Sequence, residues 1–213
     1  MPYTTEWVEL PDVKATRLKH AVAPVRKLPN EEDFYTLPMI HDPSTDTWIG
    51  DSFDIAVYLD QQYTKSGVQL FPPGSIGVHR VFNAHVDALF TRHVVLCSDG
   101  LPFNPDTAEI TKAEFCRRFG VSSYDNIIIN REARVKMMAA FEAEMDEFGR
   151  MWKFEEGPFL EGEKMSYADL VVAGWLGMMK ECLREGEWEE LCKWSGGRWG
   201  RLHEALGKWA EVR

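Results

Sequence analysis

The chain has 213 residues, a formal net charge of −10 and a hydrophobic residue content of 45%. This length and composition are typical of a globular protein with one large or two small domains, and they exclude a disordered chain. The acidic balance argues against nucleic acid or an anionic membrane as the main partner, because both require a basic surface.

The sequence predicts no membrane span, leader segment, disulfide framework or metal site. The longest apolar run is far too short to cross a membrane, and the first residues show no basic-then-apolar leader. The four cysteines form no CxxC pair and are too few for a disulfide framework, so we expect reduced thiols and a cytoplasmic location. The six histidines form no HExxH motif and no i,i+4 pair, so no metal site is predicted.

The N-terminal region contains two predicted elements. Residues Thr4 to Leu10 alternate well enough to predict a β-strand, which Pro11 would end. The segment from Asp12 to Asp33 is mixed and basic and contains two prolines, so we predict a short irregular helix or a loop.

The most informative stretch is YTLPMIHDPSTDTWIGDSFDIAVYLD, from Tyr35 to Asp60. Because proline cannot donate within a ladder, Pro38 is predicted to open a short strand from Met39 to Asp42. The peptide bond before Pro38 is a candidate for the cis form. The DPSTD segment predicts a turn, and Ser52 is predicted to cap the amphipathic helix that follows.

The second half of the chain is predicted to be helical. The Gly- and Pro-rich segment from Thr64 to Gly77 indicates a linker, with Leu70 and Phe71 as an apolar anchor. Beyond it, apolar residues recur at helical spacing. The predicted helices are Ile76–Cys97, Thr111–Phe119, Asn130–Lys153, Glu187–Trp194 and Trp199–Val212.

A capping box marks one further helix. Ser166 is predicted as the N-cap and Asp169 as its N3 partner, with Met165 and Leu170 as a hydrophobic staple. The helix behind the box, Leu170 to Leu183, is apolar nearly all round, so it should be the buried central helix.

Together these motifs resemble a known family. Leu-Pro, a hairpin and an acidic-Ser helix start are similar to the glutathione-binding half of glutathione transferases, and TLPMIHDP…DSFDIAVYLD is most similar to fungal transferases related to bacterial lignin β-etherases. The capping box is also typical of the family's C-terminal domain. The resemblance implies an incomplete α/β thioredoxin-like N-terminal domain (residues 1–66), a linker (67–77) and an all-α C-terminal domain (78–213).

The resemblance also implies a site for glutathione as cosubstrate. In the family the proline is cis, the backbone of the preceding residue pairs with the cysteinyl part of glutathione, and the acidic-Ser pair holds the γ-glutamyl end. These roles would fall on Leu37, Pro38, Asp51 and Ser52. From the helix start alone, the simpler interpretation is that Ser52 only caps the helix and Asp51 only matches its dipole.

One part of the family pattern is missing from the sequence. In the family, a first strand and helix precede what is here Pro2 to Leu10, and their connecting loop carries the Ser, Cys or Tyr that stabilises the glutathione thiolate. An unpaired strand centre would cost about 1–3 kcal/mol for each buried backbone group left unsatisfied. Three explanations stay open: a truncated gene model or isoform, a remodelled half-domain with altered chemistry, or a dimer that lends a strand. No catalytic residue is predicted.

An apolar substrate is expected in the cleft that the family has between its domains. The candidate pocket residues on or beside the apolar face of the first C-terminal helix are Phe82, His85, Phe90 and His93. For the histidines, a core or interdomain packing role is the simpler interpretation. Arg117 and Arg118 could meet an anionic group, although exposed helix charges usually meet only water.

Three functions are consistent with the sequence. The first is a glutathione transferase or etherase-like enzyme acting on a small apolar electrophile, with weakened activity because a lost thiolate donor commonly costs about 10²–10³ in rate. The second is a glutathione-independent biosynthetic isomerase or cyclase on the same fold. The third is a non-catalytic ligand binder or dimeric scaffold. A homodimer is expected by family analogy.

Overall fold

The computed structural model describes residues 2–28, 31–64, 67, 69–152 and 157–210. Within these ranges, a small α/β region precedes a predominantly helical region. The strands are β1 (Arg26–Lys27), β2 (Asp33–Phe34), β3 (Met39–Asp42) and β4 (Thr47–Gly50). The helices are α1 (Val13–Lys19), α2 (Ser52–Gln62), α3 (Ile76–His93), α4 (Ala108–Phe119), α5 (Arg131–Gly149), α6 (Tyr167–Cys182), α7 (Glu187–Leu191) and α8 (Trp194–Leu206).

The predicted N-terminal strand is wrong. Residues 2–9 adopt neither helix nor strand, and a 3-10 turn follows at Leu10–Asp12. Trp7, in the middle of the predicted strand, is 82% exposed. A strand needs a paired neighbour, and in the described part of the chain the sheets are two separate hairpins, β1–β2 and β3–β4. The short helix expected after Asp12 is present as α1.

The hairpin after Pro38 matches the prediction. Met39–Asp42 forms β3, antiparallel to β4. Asp42 closes the turn, because its carboxylate accepts hydrogen bonds from the backbone N–H (2.9 Å) and hydroxyl (2.7 Å) of Ser44. The same carboxylate accepts bonds of 2.6 Å from the hydroxyls of Tyr58 and Tyr63. The turn therefore holds the hairpin against α2.

The predicted anchor connects the two regions. Phe71 is 3% exposed and packs with Phe53 of α2 and Tyr167 of α6. The backbone N–H of Leu70 donates to Asp60 (2.6 Å), and the Leu70 carbonyl accepts from the backbone N–H of Tyr167 (2.9 Å). Residues 65, 66 and 68 of the predicted linker lie outside the described residues.

The core of the helical region forms around α6, as predicted. This helix packs against α3 on one side and α8 on the other, while α5 also packs against α8. The side chains with no exposed surface include Val86, Phe90, Phe141, Val172, Leu176, Met179 and Trp199. The capping box is present, and its Asp169 has no exposed surface.

Helix boundaries differ from the prediction at several points. Helix α4 begins at Ala108 rather than Thr111, and it ends before Gly120, whose φ of 67° is a left-handed conformation that suits glycine. Helix α5 ends at Gly149 instead of Lys153, a residue outside the described part of the chain. Residues 195–197, which lie between the last two predicted helices, interrupt α8, and all three have positive φ. Residues 211–212 of the last predicted helix also lie outside the described ranges.

Candidate functional site

Two separate segments carry the four predicted glutathione-binding residues, and the structure brings these segments together. The Leu37–Pro38 peptide bond is cis. The backbone N–H of Asp51 donates to the carbonyl of Pro38 at 3.3 Å. The proline segment therefore lies directly beside the N-terminus of α2, which begins at Ser52.

The predicted cap of α2 needs a correction. Ser52 is the first residue within the helix, and Asp51 is the N-cap, with its Oδ1 accepting a 2.9 Å hydrogen bond from the Phe53 backbone N–H. Ser and Asp both cap helices well, and the backbone decides between them, because only Asp51 lies outside helical geometry, at φ 83°. A positive φ is uncommon for a non-glycine residue, and Asp is among the residue types that tolerate it best. The Ser52 hydroxyl is therefore not used as the cap.

The Ser52 side chain faces the helical region. It interacts with the hydroxyl of Tyr167, the first residue of α6. That hydroxyl also donates a 2.5 Å hydrogen bond to the Asn83 side chain of α3. The Tyr167 ring stacks on Phe71 with ring centroids 5.0 Å apart, and its burial raises the pKa of the phenol. The two sequence motifs, the acidic-Ser pair and the capping box, are thus in contact.

A cleft of about 450 Å³ lies between the N-terminal region and α4. Its wall carries charged side chains beside aromatic ones, among them Lys14, Glu32, Asp33, Arg117, Arg118, Phe34 and Tyr35. The four predicted glutathione-binding residues are not part of its lining.

The two arginines of this cleft pair with protein carboxylates, although the Arg117 side chain is also 53% exposed. Arg117 bonds to Glu114 through Nε (2.8 Å) and to Glu32 through Nη1 (2.9 Å). Arg118 bonds to Glu114 through Nε (2.8 Å), and its guanidinium lies 5.1 Å from the Phe34 ring centroid. These ion pairs join α4 to the β1–β2 hairpin and neutralise the positive charge of that wall.

The four predicted pocket residues occupy two environments, and none of them lines this cleft. Phe90 is fully buried in the helical core, and His93 is 4% exposed, stacked on Phe141 with centroids 4.7 Å apart. Phe82 is half-buried and His85 is exposed, and both contact the ring of Phe148. Burial lowers the pKa of His93, which suits the packing role expected for a core histidine. Substrate binding by these residues stays a prediction.

The four cysteines are free thiols. Burial raises the pKa of Cys97 to about 12, and burial also raises the pKa of Cys182 and of Cys192. These three thiols are therefore protonated at neutral pH, and since the thiolate is the reactive form, they are poor nucleophiles.

Two further kinds of feature are missing from the described residues. They contain no group of three or more His, Cys, Asp or Glu side chains placed to hold a metal ion. Among the helices they form, none combines the length and the apolar character that crossing a membrane requires.

Comparison with known proteins agrees with the geometry. Residues 78–209, more than half of the chain, match the family model described as "Glutathione S-transferase, C-terminal domain". The chain belongs to the glutathione S-transferase family. The relation extends beyond the C-terminal region. A curated relative, the glutathione S-transferase-like protein ustS of Aspergillus flavus, is 26% identical over an alignment 226 positions long, which spans 99% of this chain and 79% of the relative.

Solved structures of this family have the same fold. Two glutathione S-transferases of Ceriporiopsis subvermispora, each crystallised in complex with glutathione, superpose with TM-scores of 0.87 and 0.82. The first is 27% identical to this chain, and the match covers 100% of this chain and 86% of the transferase. The second is 28% identical, and the match covers 98% of this chain and 86% of the transferase. The predicted combination of an α/β N-terminal region and a helical C-terminal domain is therefore confirmed.

Proposed function

We propose that this glutathione S-transferase family member is a glutathione-dependent enzyme, with its glutathione site at Leu37, Pro38, Asp51 and Ser52. The observation that carries the proposal is the hydrogen bond from the Asp51 backbone N–H to the Pro38 carbonyl, because it sets the two halves of the site side by side. Similar structures that hold glutathione support the same ligand here.

Each residue suits one part of the tripeptide. Leu37 is 37% exposed, and in this proposal its backbone pairs with the backbone of the cysteinyl unit. Asp51 provides a carboxylate for the γ-glutamyl ammonium group. Ser52 and the free N–H groups at the start of α2 suit the γ-glutamyl carboxylate, since a helix N-terminus attracts anions.

The second substrate in this proposal is a small apolar electrophile. Glutathione would be conjugated to it or would cleave an ether within it. Phe82, His85, Phe90 and His93 are kept as the proposed contacts. The group that stabilises the thiolate is not assigned.

The remaining features of the proposal concern organisation. We propose a glutathione-binding unit up to residue 66, a connection over 67–77 and a helical unit from 78 onward, which the start of α3 at Ile76 supports. A homodimer and a cytoplasmic location are proposed from the family resemblance and from the reduced cysteines.

Calorimetric titration with reduced glutathione tests the proposal. We expect saturable binding in the micromolar to millimolar range, followed by thiol consumption when an activated aryl halide or a β-aryl ether is added. A folded protein that gives no heat with glutathione would contradict the proposal. Turnover of a substrate without thiol would then favour the isomerase or cyclase, and ligand binding without turnover would favour a non-catalytic role.

A further inference from the structure

Helix α1 carries a buried guanidinium close to the proposed glutathione site. Arg17 is only 2% exposed, whereas Lys14 and Lys19 on the same helix are exposed. Its Nη1 donates to the carbonyl of Thr36 at 2.6 Å and its Nη2 to the carbonyl of Ala23 at 2.5 Å. Its Nε has no hydrogen-bond partner among the described residues. Arg17 is thus a charge bound mainly by neutral acceptors.

The guanidinium also packs against the backbone that leads into α2. A Cβ atom placed on Gly50 would lie 2.3 Å from Nη2 and 2.6 Å from Cζ of Arg17, so only glycine allows this approach. Asp51 follows directly, and its negative charge favours the charged form of Arg17. Burial, the larger effect, lowers the Arg17 pKa.

The stability of the fold alone does not account for a buried charge at position 17. Removing a cation from water is costly, and apolar residues of similar volume often replace a buried charged group without loss of stability. Arg17 contacts both segments of the site. Each residue that it contacts there directly precedes a residue proposed to bind glutathione. Thr36 precedes Leu37, and Gly50 precedes Asp51.

We propose that Arg17 is a positioning residue of the glutathione site, one that fixes the backbone before Leu37 and the backbone before Asp51. This inference rests on the proposed function. The two Nη atoms bond to Thr36 and Ala23, and Oδ1 of Asp51 caps α2 through the Phe53 N–H, so Oδ2 is the Asp51 oxygen that we propose for the ligand. Arg17 acts through Asp51 and the proline segment and does not touch glutathione itself.

The first test compares glutathione with cysteinylglycine, which lacks the γ-glutamyl group. We expect Arg17→Met to weaken glutathione binding about tenfold and to reduce the preference for glutathione over cysteinylglycine. Arg17→Lys, which keeps a charge but lacks the planar fork of donors, should give a smaller loss. Lys19→Met removes an exposed charge from the same helix and should leave both dissociation constants unchanged.

A second variant keeps Arg17 but displaces it. Gly50→Ala forces the guanidinium and the neighbouring Val22 side chain, 2.7 Å from the added Cβ, to move. Since Gly50 does not have a positive φ, the alanine adds no backbone strain. We expect Gly50→Ala to reduce the preference for glutathione over cysteinylglycine in the same direction as Arg17→Met. This variant decides the question if Arg17→Met does not fold.

The outcomes separate the two proposals. Suppose that the wild-type protein binds glutathione and that the folded variants keep the wild-type affinity and the preference for glutathione over cysteinylglycine. Arg17 is then only structural, so the inference about Arg17 is overturned while the proposed function stands. A uniform loss for both ligands that follows the melting temperature would also overturn it. If the folded wild-type protein binds no glutathione, the proposed function fails and the inference fails with it.

Discussion

The hydroxyl of Tyr58 donates a 2.6 Å hydrogen bond to Oδ2 of Asp42, and this bond fastens the middle of α2 to the turn at the end of β3. Tyr63, just beyond the end of α2, donates to the same oxygen at 2.6 Å. Because Asp51 and Ser52 stand at the start of α2, the position of the proposed glutathione site depends on this attachment.

The Asp42 attachment predicts a specific loss of stability in acid. Hydrogen bonds from Tyr58, then Tyr63 and Ser44, hold the pKa of Asp42 well below its usual range. A depressed pKa stabilises the fold above the unfolded pKa of about 3.9, and that contribution is lost as pH falls further. We expect Asp42→Asn to lower the melting temperature at pH 7, with a difference from wild type that shrinks below pH 4.

Thermal melts from pH 7 to pH 2.5 measure this effect. Asp46→Asn is the matched control, because Asp46 belongs to the same turn but its side chain is 93% exposed. A difference for Asp42→Asn that stays constant across the pH range would show that the charge of Asp42 is not the stabilising element.

The ion pairs of Glu114 give a second pH-dependent prediction. Hydrogen bonds from Arg117, and less strongly from Arg118, lower the pKa of Glu114 to about 2. Its contribution is therefore complete above the unfolded pKa of about 4.3 and is lost as pH falls towards 2. Since the pair is partly exposed, we expect Glu114→Gln to cost only about 0.5–1 kcal/mol at pH 7.

Urea unfolding at low and high salt measures this cost. The cost should decrease in high salt, because salt screens partly exposed charges. Glu109→Gln is the control, since its side chain is 89% exposed and its pair with Lys112 is at the surface. An equal cost for both variants would contradict a special role for Glu114 in holding α4 to the β1–β2 hairpin.

The features predicted correctly from sequence depend on local chemistry. Pro38, the DPSTD turn and the capping box at Ser166 each act within a few residues, so the sequence contains the information that they need. The choice of Asp51 over Ser52 as N-cap could not be predicted, because adjacent residues of equal capping ability are separated only by the backbone φ.

The features that were missed depend on distant contacts. Arg17 is one of several basic residues between Asp12 and Asp33, and its burial results from Thr36 and Gly50, which lie 19 and 33 positions further along the chain. The alternation in Thr4–Leu10 is compatible with a strand, but strand formation needs a partner that no pattern within seven residues can indicate.

The capping box predicts a stability effect that does not extend to ligand binding. Asp169 accepts 2.7 Å hydrogen bonds from the backbone N–H groups of Leu160 and Ser166. We expect Ser166→Ala to cost about 0.5–2 kcal/mol of unfolding free energy. Asp169→Ala should cost more, because each buried donor left without a partner costs about 1–3 kcal/mol.

Urea unfolding and glutathione titration of the same samples check this prediction. Thr107→Ala is the control, since Thr107 is the N-cap of α4 but makes no side-chain cap bond, so its change should be nearly neutral. A lower glutathione affinity per folded molecule in Ser166→Ala would indicate that the contact between Tyr167 and Ser52 transmits the change to the site.

Substitutions of Asp51 can separate the effect of its charge on glutathione binding from its effect on stability as the N-cap of α2. Asn caps helices about as well as Asp and also tolerates positive φ, so Asp51→Asn should leave the melting temperature unchanged. A hydrogen bond to a charged group is worth about 1.5–3 kcal/mol, so the loss of charge should weaken glutathione binding by about 10- to 150-fold. Asp51→Ala should show the same loss and should also lower stability by about 0.5–2 kcal/mol.

Calorimetry and thermal melts on these variants measure both effects. Asp54→Asn is the matched control, because Asp54 is in the first turn of α2 but bonds to Arg80 at 2.7 Å. It should keep the wild-type affinity. If Asp51→Asn kept the wild-type affinity while Asp51→Ala lost stability, Asp51 would be a cap alone, and the γ-glutamyl ammonium would need another partner.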